Sequence, residues 1–113
     1  MRYTCPGLIM DNATGALILV EIDQELRPVV PEYLKKRLGD CAEIDRLLAA
    51  GGMESIQLLG HQIKGSGGSF GFDELSAIGE ELERAAQAAD REGIMSLVGR
   101  MEEYLKRVSV AYV

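Results

Sequence analysis

Apolar residues recur every three or four positions along four successive stretches of the chain, from about residue 29 onward. With about 3.6 residues per helical turn, this spacing places them on one side, so each stretch predicts a helix with one buried face. The expected buried faces are, in chain order, Val30, Leu34, Leu38, Cys41, Ile44 and Leu48; Met53, Ile56, Leu59 and Ile63; Leu75, Ile78, Leu82, Ala85 and Ala89; and Ile94, Leu97, Met101, Leu105 and Val108. Because short connections make sequential helices neighbours, the predicted fold class is all-α, an antiparallel four-helix bundle over residues 23–113.

Residues that start or stop helices mark the ends of the predicted elements. Asp73 and Asp90 are the expected N-caps of the third and fourth helices, since their carboxylates can accept from free backbone N–H groups. A left-handed glycine, Gly67 or Gly68, is expected to end the second helix. The connections between the helices are therefore predicted to be short.

Residues 1–22 have a different pattern and are treated as an N-terminal extension. Residues 3–10 and 16–22 are apolar and β-prone, and a turn-forming segment, residues 11–15, separates them. Two interpretations stay open. The extension is either a β-hairpin packed on the bundle or a flexible segment that ends in a short helix near residues 23–26, because an isolated hairpin is marginal in water.

Composition and charge exclude several classes of protein. The 113 residues include 12 lysines and arginines against 18 aspartates and glutamates, a net charge of -6, which disfavours nucleic acid and anionic membrane surfaces. The two cysteines, Cys5 and Cys41, form no C-x-x-C pair, so neither a zinc site nor a disulfide framework is indicated. The apolar runs near the N-terminus are too short for a signal peptide or a spanning helix. We therefore expect a cytoplasmic protein, and its size and charge predict a monomer.

One glycine-rich segment, residues 60–71 with the sequence GHQIKGSGGSFG, holds the only histidine of the chain. It fits no phosphate-binding loop, because Ser66 stands where the P-loop lysine is required and Phe70 replaces the third glycine of the dinucleotide fingerprint. A di-metal site in a bundle needs two histidines, so neither a metal nor a cofactor is expected. The neighbouring carboxylates are expected to form a solvated face: Glu80, Glu81 and Glu83.

The helical phase of His61 turns it away from the buried stripe of its helix. At roughly 100° per residue, it lies about 165° from the centre of the stripe, so its ring is expected to face water. An exposed neutral imidazole is a competent nitrogen nucleophile near neutral pH, and Lys64, one turn further on, can place a positive charge beside phosphoryl oxygens. The same side is expected to carry Gln57, Leu58, Gly65 and Gly68. At Gly65 the missing Cβ allows a partner to approach closely.

These features resemble the histidine-containing phosphotransfer (HPt) domain. The likeness is carried by the sequence HQIKG at residues 61–65, the glycine-aromatic run at 66–72 and the Leu82-Glu83 pair in the next helix, and it covers about residues 23–110. It implies a phosphorelay intermediate, in which His61 accepts a phosphoryl group from a receiver-domain aspartate, or from a histidine-kinase pathway, and passes it to another receiver domain.

The resemblance also implies residue roles and partners. Lys64 would be the cation on the phosphate side, Gly65 would allow the receiver to dock, and Gln57, Leu58 and Gly68 would belong to the docking surface. The partners would be a response-regulator receiver domain or a hybrid histidine kinase. The magnesium ion would sit in the receiver, so no autonomous kinase activity is expected. An alternative stays open, a helical interaction module that binds signalling partners without phosphotransfer.

Overall fold

Residues 16–113 are described by the structure, a computed structural model. Their elements are β1 (Ile18–Ile22), a 3-10 helix (Gln24–Leu26), α1 (Val30–Ala49), α2 (Met53–Phe70), α3 (Asp73–Gln87), α4 (Arg91–Arg107) and β2 (Val108–Tyr112). Each helix contacts the next, and α4 contacts α1, which closes the ring. The predicted all-α bundle is confirmed. No helix within these residues is long and apolar enough to cross a membrane.

Most of the predicted apolar positions form the core between the four helices. The fully buried side chains include at least one from every helix: Ile44, Ile56, Ile63, Leu75, Ile78, Leu82, Ile94 and Met101. Because each helix contributes an apolar face to this shared interior, its opposite face is left to solvent. The surface of α2 that carries His61 is one of these exposed faces.

The buried face of α1 differs from the prediction. Leu38 is 43% exposed, whereas Arg37 is only 5% exposed. A buried guanidinium needs partners, and Arg37 has three kinds. Its Nε lies 2.8 Å from the Asp40 carboxylate, one terminal nitrogen donates to Ser66 Oγ at 3.1 Å, and the group lies over the Tyr33 ring. The prediction that Leu38 is buried is therefore wrong. The polar cluster around Arg37, which joins α1 to α2, takes the buried position instead.

The second helix ends later than predicted. It continues through Gly67 and Gly68 to Phe70, and the left-handed residue is Gly71, with φ of 92°. The prediction was wrong because Gly67 serves packing: a Cβ there would lie 2.8 Å from the backbone nitrogen of Ser76 in α3.

The caps of α3 and α4 follow the prediction only in part. Asp90 caps α4 as predicted, since its carboxylate accepts from Gly93 N at 3.0 Å. At α3 the N-cap is Phe72, and Asp73 is already the first helical residue. Phe72 is fully buried and stacks on the Tyr33 ring with 5.9 Å between centroids, so packing of the turn sets this helix start.

A two-stranded parallel sheet joins the two ends of the described chain and was not predicted. Ile18 lies opposite Val108, and Ile22 lies opposite Tyr112. Parallel strands require a long crossover, which here is the whole bundle. One face of the sheet packs on the core, where Ile22 is 1% exposed, while Leu19 on the other face is 71% exposed. Val108, which was predicted on the buried face of the last helix, begins β2 instead.

The sheet attaches the end of the N-terminal extension to the bundle. Beyond the strands, Val113 N donates to Ile22 O and Gln24 N donates to Val113 O, at 2.9 and 3.0 Å. The 3-10 helix lies where the second interpretation placed a short helix, but Ile18–Ile22 before it form a paired strand and not the flexible segment of that interpretation. The other arm of the possible hairpin, residues 3–10, lies outside the described residues, so the hairpin and the division at residue 22 stay predictions.

Candidate functional site

Glycines allow α2 and α3 to approach each other at backbone contact. A Cβ on Gly60 would lie 2.8 Å from Glu83 N, and one on Gly79 would lie 2.7 Å from Gly60 O. Side-chain carbons do not tolerate such distances, so both positions require glycine at this spacing. The close crossing brings the exposed edge of α3 beside the face of α2 that carries His61.

The His61 side chain lies in solvent and has a carboxylate beside one ring nitrogen. It is 66% exposed, as its helical phase predicts, and its Nδ1 lies 3.4 Å from Oε2 of Glu83. A carboxylate accepts hydrogen bonds, so this position favours the neutral tautomer that carries its proton on Nδ1. In that tautomer, Nε2 carries the lone pair and is the nitrogen that can act as a nucleophile.

Glu83 does not belong to a solvated acidic face, which corrects the prediction. Its side chain is only 22% exposed and faces His61. Glu80 and Glu81 fit the prediction better, with side chains 40% and 47% exposed and paired with arginines. Helical phase alone does not give the distance between two helices, so Glu83 was not predicted as a site residue, although the Leu82-Glu83 pair was part of the family resemblance. The small residues at the crossing were the available signal.

Lys64 lies one turn after His61 on the same side of α2, and α3 supports its backbone. Its carbonyl accepts a hydrogen bond from Ser76 Oγ at 2.9 Å, and Gly79 packs against its backbone nitrogen and Cα. Among residues 16–113 no carboxylate forms an ion pair with Lys64. Within this part of the chain, its ammonium group is therefore not neutralised by an ion pair.

The imidazole of His61 lines a shallow surface depression between α2 and α3. Its volume is about 340 Å³, and it is lined by Glu54, Gln57, Leu58, His61 and Glu83. Leu58 is 58% exposed, so the floor of the site is next to an apolar surface. Two of the predicted docking residues, Gln57 and Leu58, thus lie together with the histidine.

The other two predicted docking residues, Gly65 and Gly68, lie further along α2, outside this depression, and are exposed. A Cβ on Gly65 would meet nothing within 4 Å, and one on Gly68 would make an ordinary contact at 3.6 Å with Ser76 Oγ. A helical glycine costs about 0.8–1 kcal/mol relative to alanine. No packing contact in the described part of the chain requires that cost at Gly65.

The Cys41 thiol is buried in the core and does not supply a second nucleophile at the surface. Burial raises the pKa of the Cys41 thiol to about 12, with nearby carboxylates adding to the effect, so the thiol stays protonated near neutral pH. Within residues 16–113 no three or more histidine, cysteine or carboxylate side chains are grouped to hold a metal ion. Among residues 16–113, neither a reactive thiol nor a group of metal ligands therefore lies beside His61.

Comparison with known families gives one match. A family model described as Hpt domain matches residues 31–111, which include the four helices almost completely and most of β2. His61, Lys64 and Glu83 all lie within the matched segment. Searches of curated proteins and of solved structures found no significant match.

Proposed function

The chain belongs to the Hpt domain family of phosphorelay histidine phosphotransfer proteins, and we propose that His61 accepts a phosphoryl group from a receiver-domain aspartate and passes it to another receiver domain. The observation that supports this proposal best is the exposed imidazole with Glu83 at Nδ1. Lys64, one turn further on, adds a cation on the same side.

The forward step uses the lone pair on Nε2 of His61. It attacks the phosphorus of the aspartyl phosphate, so that the N–P bond forms while the acyl P–O bond breaks and the carboxylate leaves with the bonding electrons. The ring gains positive charge as this happens, and the Glu83 carboxylate stabilises that charge from the Nδ1 side. The Nδ1 proton stays between ring and carboxylate. In the return step, the aspartate of the second receiver attacks phosphorus and Nε2 leaves with the electron pair.

Lys64 is proposed to interact with the oxygens of the phosphoryl group, where charge is spread during transfer. The magnesium ion of the reaction is expected on the receiver domain, as the family resemblance implies. We assign receiver docking to the surface formed by Gln57, Leu58, Gly65 and Gly68. Gly65 fits this role because nothing inside the described chain requires a glycine there.

The experiment that tests this proposal uses a purified receiver domain phosphorylated by acetyl phosphate. We expect acid-labile, alkali-stable phosphate on the wild-type chain and none on His61→Gln. Slower transfer by Lys64→Ala with unchanged receiver binding, and partial recovery in Lys64→Arg, is expected if the cation acts on the phosphoryl group. Binding without transfer to the wild type would contradict the proposal and support an interaction module instead.

A further inference from the structure

We propose that the surface beside His61 selects its receiver by charge and shape. The partner is inferred to carry basic side chains near its phosphorylated aspartate, opposite Glu54 and Glu83, and an apolar side chain that packs on Leu58. This inference rests on the proposed function. It adds the chemistry of the partner's docking face, which decides between competing receivers.

Leu58 lies between two depressions on the protein surface. One contains His61 and lies between α2 and α3; the other lies between α1 and α2 and is lined in part by Leu47 and Leu59. A single exposed leucine is ordinary, but this one lines both depressions and, with Leu47 and Leu59, forms a leucine patch that reaches the reactive side chain. The contact surface therefore extends from the imidazole across Leu58 towards α1, and it suits one apolar side chain of a docked partner.

The charges around this surface are unequal. On the α1 side, Arg46 donates to Glu43 at 3.1 Å, so that pair is nearly neutral. On the other side Glu54 has no ion-pair partner within residues 16–113, and Glu83 faces only the imidazole. Lys64 does not line the depression. The lining of the depression is therefore acidic, and the Lys64 cation lies outside it, one turn further along α2.

This acidity affects which phosphoryl donor reaches His61. A free anionic donor is repelled by the two carboxylates, whereas a receiver with basic side chains at the contact is attracted by both. Charges at the rim of an interface act mainly on the association rate, by tenfold or more at low salt, and salt screens them. The net charge of -6 acts in the same direction.

The test uses the full chain and one single-domain receiver made in two forms, with either two lysines or two glutamates on the helix that flanks its aspartate. At low salt we expect the lysine form to transfer to the wild type about tenfold faster. The preference should decrease at about 1 M salt, where the screening length is about 3 Å. Glu54→Lys is expected to remove or reverse it. Glu92→Lys makes the same charge change on α4 and is expected to keep it.

A second pair of variants tests the apolar part of the surface. Leu58→Ala is expected to raise the receiver concentration needed for half-maximal transfer several-fold. Met95→Ala, which removes a 60% exposed side chain from α4, is expected to leave it unchanged. Three results would overturn the inference while transfer to His61 continues. They are equal effects of Leu58→Ala and Met95→Ala, equal rates for the two receiver forms at low salt, and a preference for the lysine form that persists in Glu54→Lys. Failure of both receiver forms to phosphorylate His61 at any salt concentration would instead overturn the proposed function.

Discussion

Two glycines of α2, Gly60 and Gly65, are expected to respond to alanine in opposite directions. A Cβ on Gly60 would lie 2.8 Å from Glu83 N, 2.9 Å from Gly79 O and 3.0 Å from the Cβ of Leu82. None of these atoms is the end of a flexible side chain, so α3 must move. Overpacking lowers the free energy of unfolding by about 1–3 kcal/mol, whereas the better helix propensity of alanine raises it by about 1 kcal/mol. With three close contacts, Gly60→Ala should lower the free energy of unfolding by about 1–2 kcal/mol.

Gly65→Ala is the matched control in the same helix. Its Cβ would meet nothing within 4 Å, so only the gain in helix propensity remains. The free energy of unfolding should rise by about 0.5–1 kcal/mol, which separates the two variants by about 1.5–3 kcal/mol. Gly65→Ala should nevertheless slow transfer from a receiver, because the added methyl group lies on the proposed docking surface.

Urea denaturation followed by helical circular dichroism measures both changes, with equal m-values showing that the denatured states are comparable. In a domain of this size, about 1 kcal/mol corresponds to roughly 4 °C in Tm, so thermal melts give an independent check. Equal stability of the two variants, or a Gly60→Ala variant more stable than the wild type, would refute the backbone contact between α2 and α3.

Three further predictions concern other residues of the site and the fold. Glu83→Ala removes the carboxylate beside Nδ1. Because the ring of His61 is 66% exposed, water screens this pair and its contribution is about 1 kcal/mol, so single-turnover transfer should slow about fivefold, with Glu83→Gln closer to the wild type. An unchanged rate in Glu83→Ala would argue against that role. Cys41, with a pKa of about 12, should resist alkylation at about pH 8 in a folded Cys5→Ser variant and react after unfolding; rapid labelling of the folded protein would contradict its burial. Ile22→Ala should lower the free energy of unfolding by about 2–4 kcal/mol, whereas Leu19→Ala should change it by less than about 0.5 kcal/mol; similar effects on denaturation would mean that β1 does not pack on the core.

The helices and most of the core could be predicted because their signal is local. The period of apolar residues predicts that Ile44, Ile63 and Leu82 are buried, and this prediction does not depend on which elements pack against them. The buried Arg37 could not be predicted in this way. Its burial depends on Ser66 lying opposite on another helix, and an arginine inside a helical pattern ordinarily indicates the exposed face.

The candidate site shows the same difference between local and non-local signals. Helical phase places His61 and Lys64 on the solvent side of α2, since both belong to one helix. The position of Glu83 depends on how closely α3 approaches, which the contacts at Gly60 and Gly79 determine. A rule that pairs small residues on sequential helices would have indicated this crossing.

The parallel sheet is the least local feature. β1 and β2 lie at opposite ends of the described chain, and their pairing depends on where the bundle brings those ends together. The alternation of Val108, Val110 and Tyr112 was the available signal, but Val108 also continues the apolar stripe of the last helix and was predicted to belong to that helix. Parallel pairs with a long crossover give no short-range turn signal that would reveal the partner strand.

The central claim is that Nε2 of His61 accepts the phosphoryl group while Nδ1 faces Glu83. The most direct measurement is phosphorus–nitrogen coupling by NMR, in protein made with isotopically labelled histidine and phosphorylated by a receiver domain. The chain has one histidine, so the assignment of its two ring nitrogens is free of overlap. The expected result is one-bond coupling of phosphorus to Nε2. Coupling to Nδ1, or a phosphate attached to any other side chain, would contradict the claim.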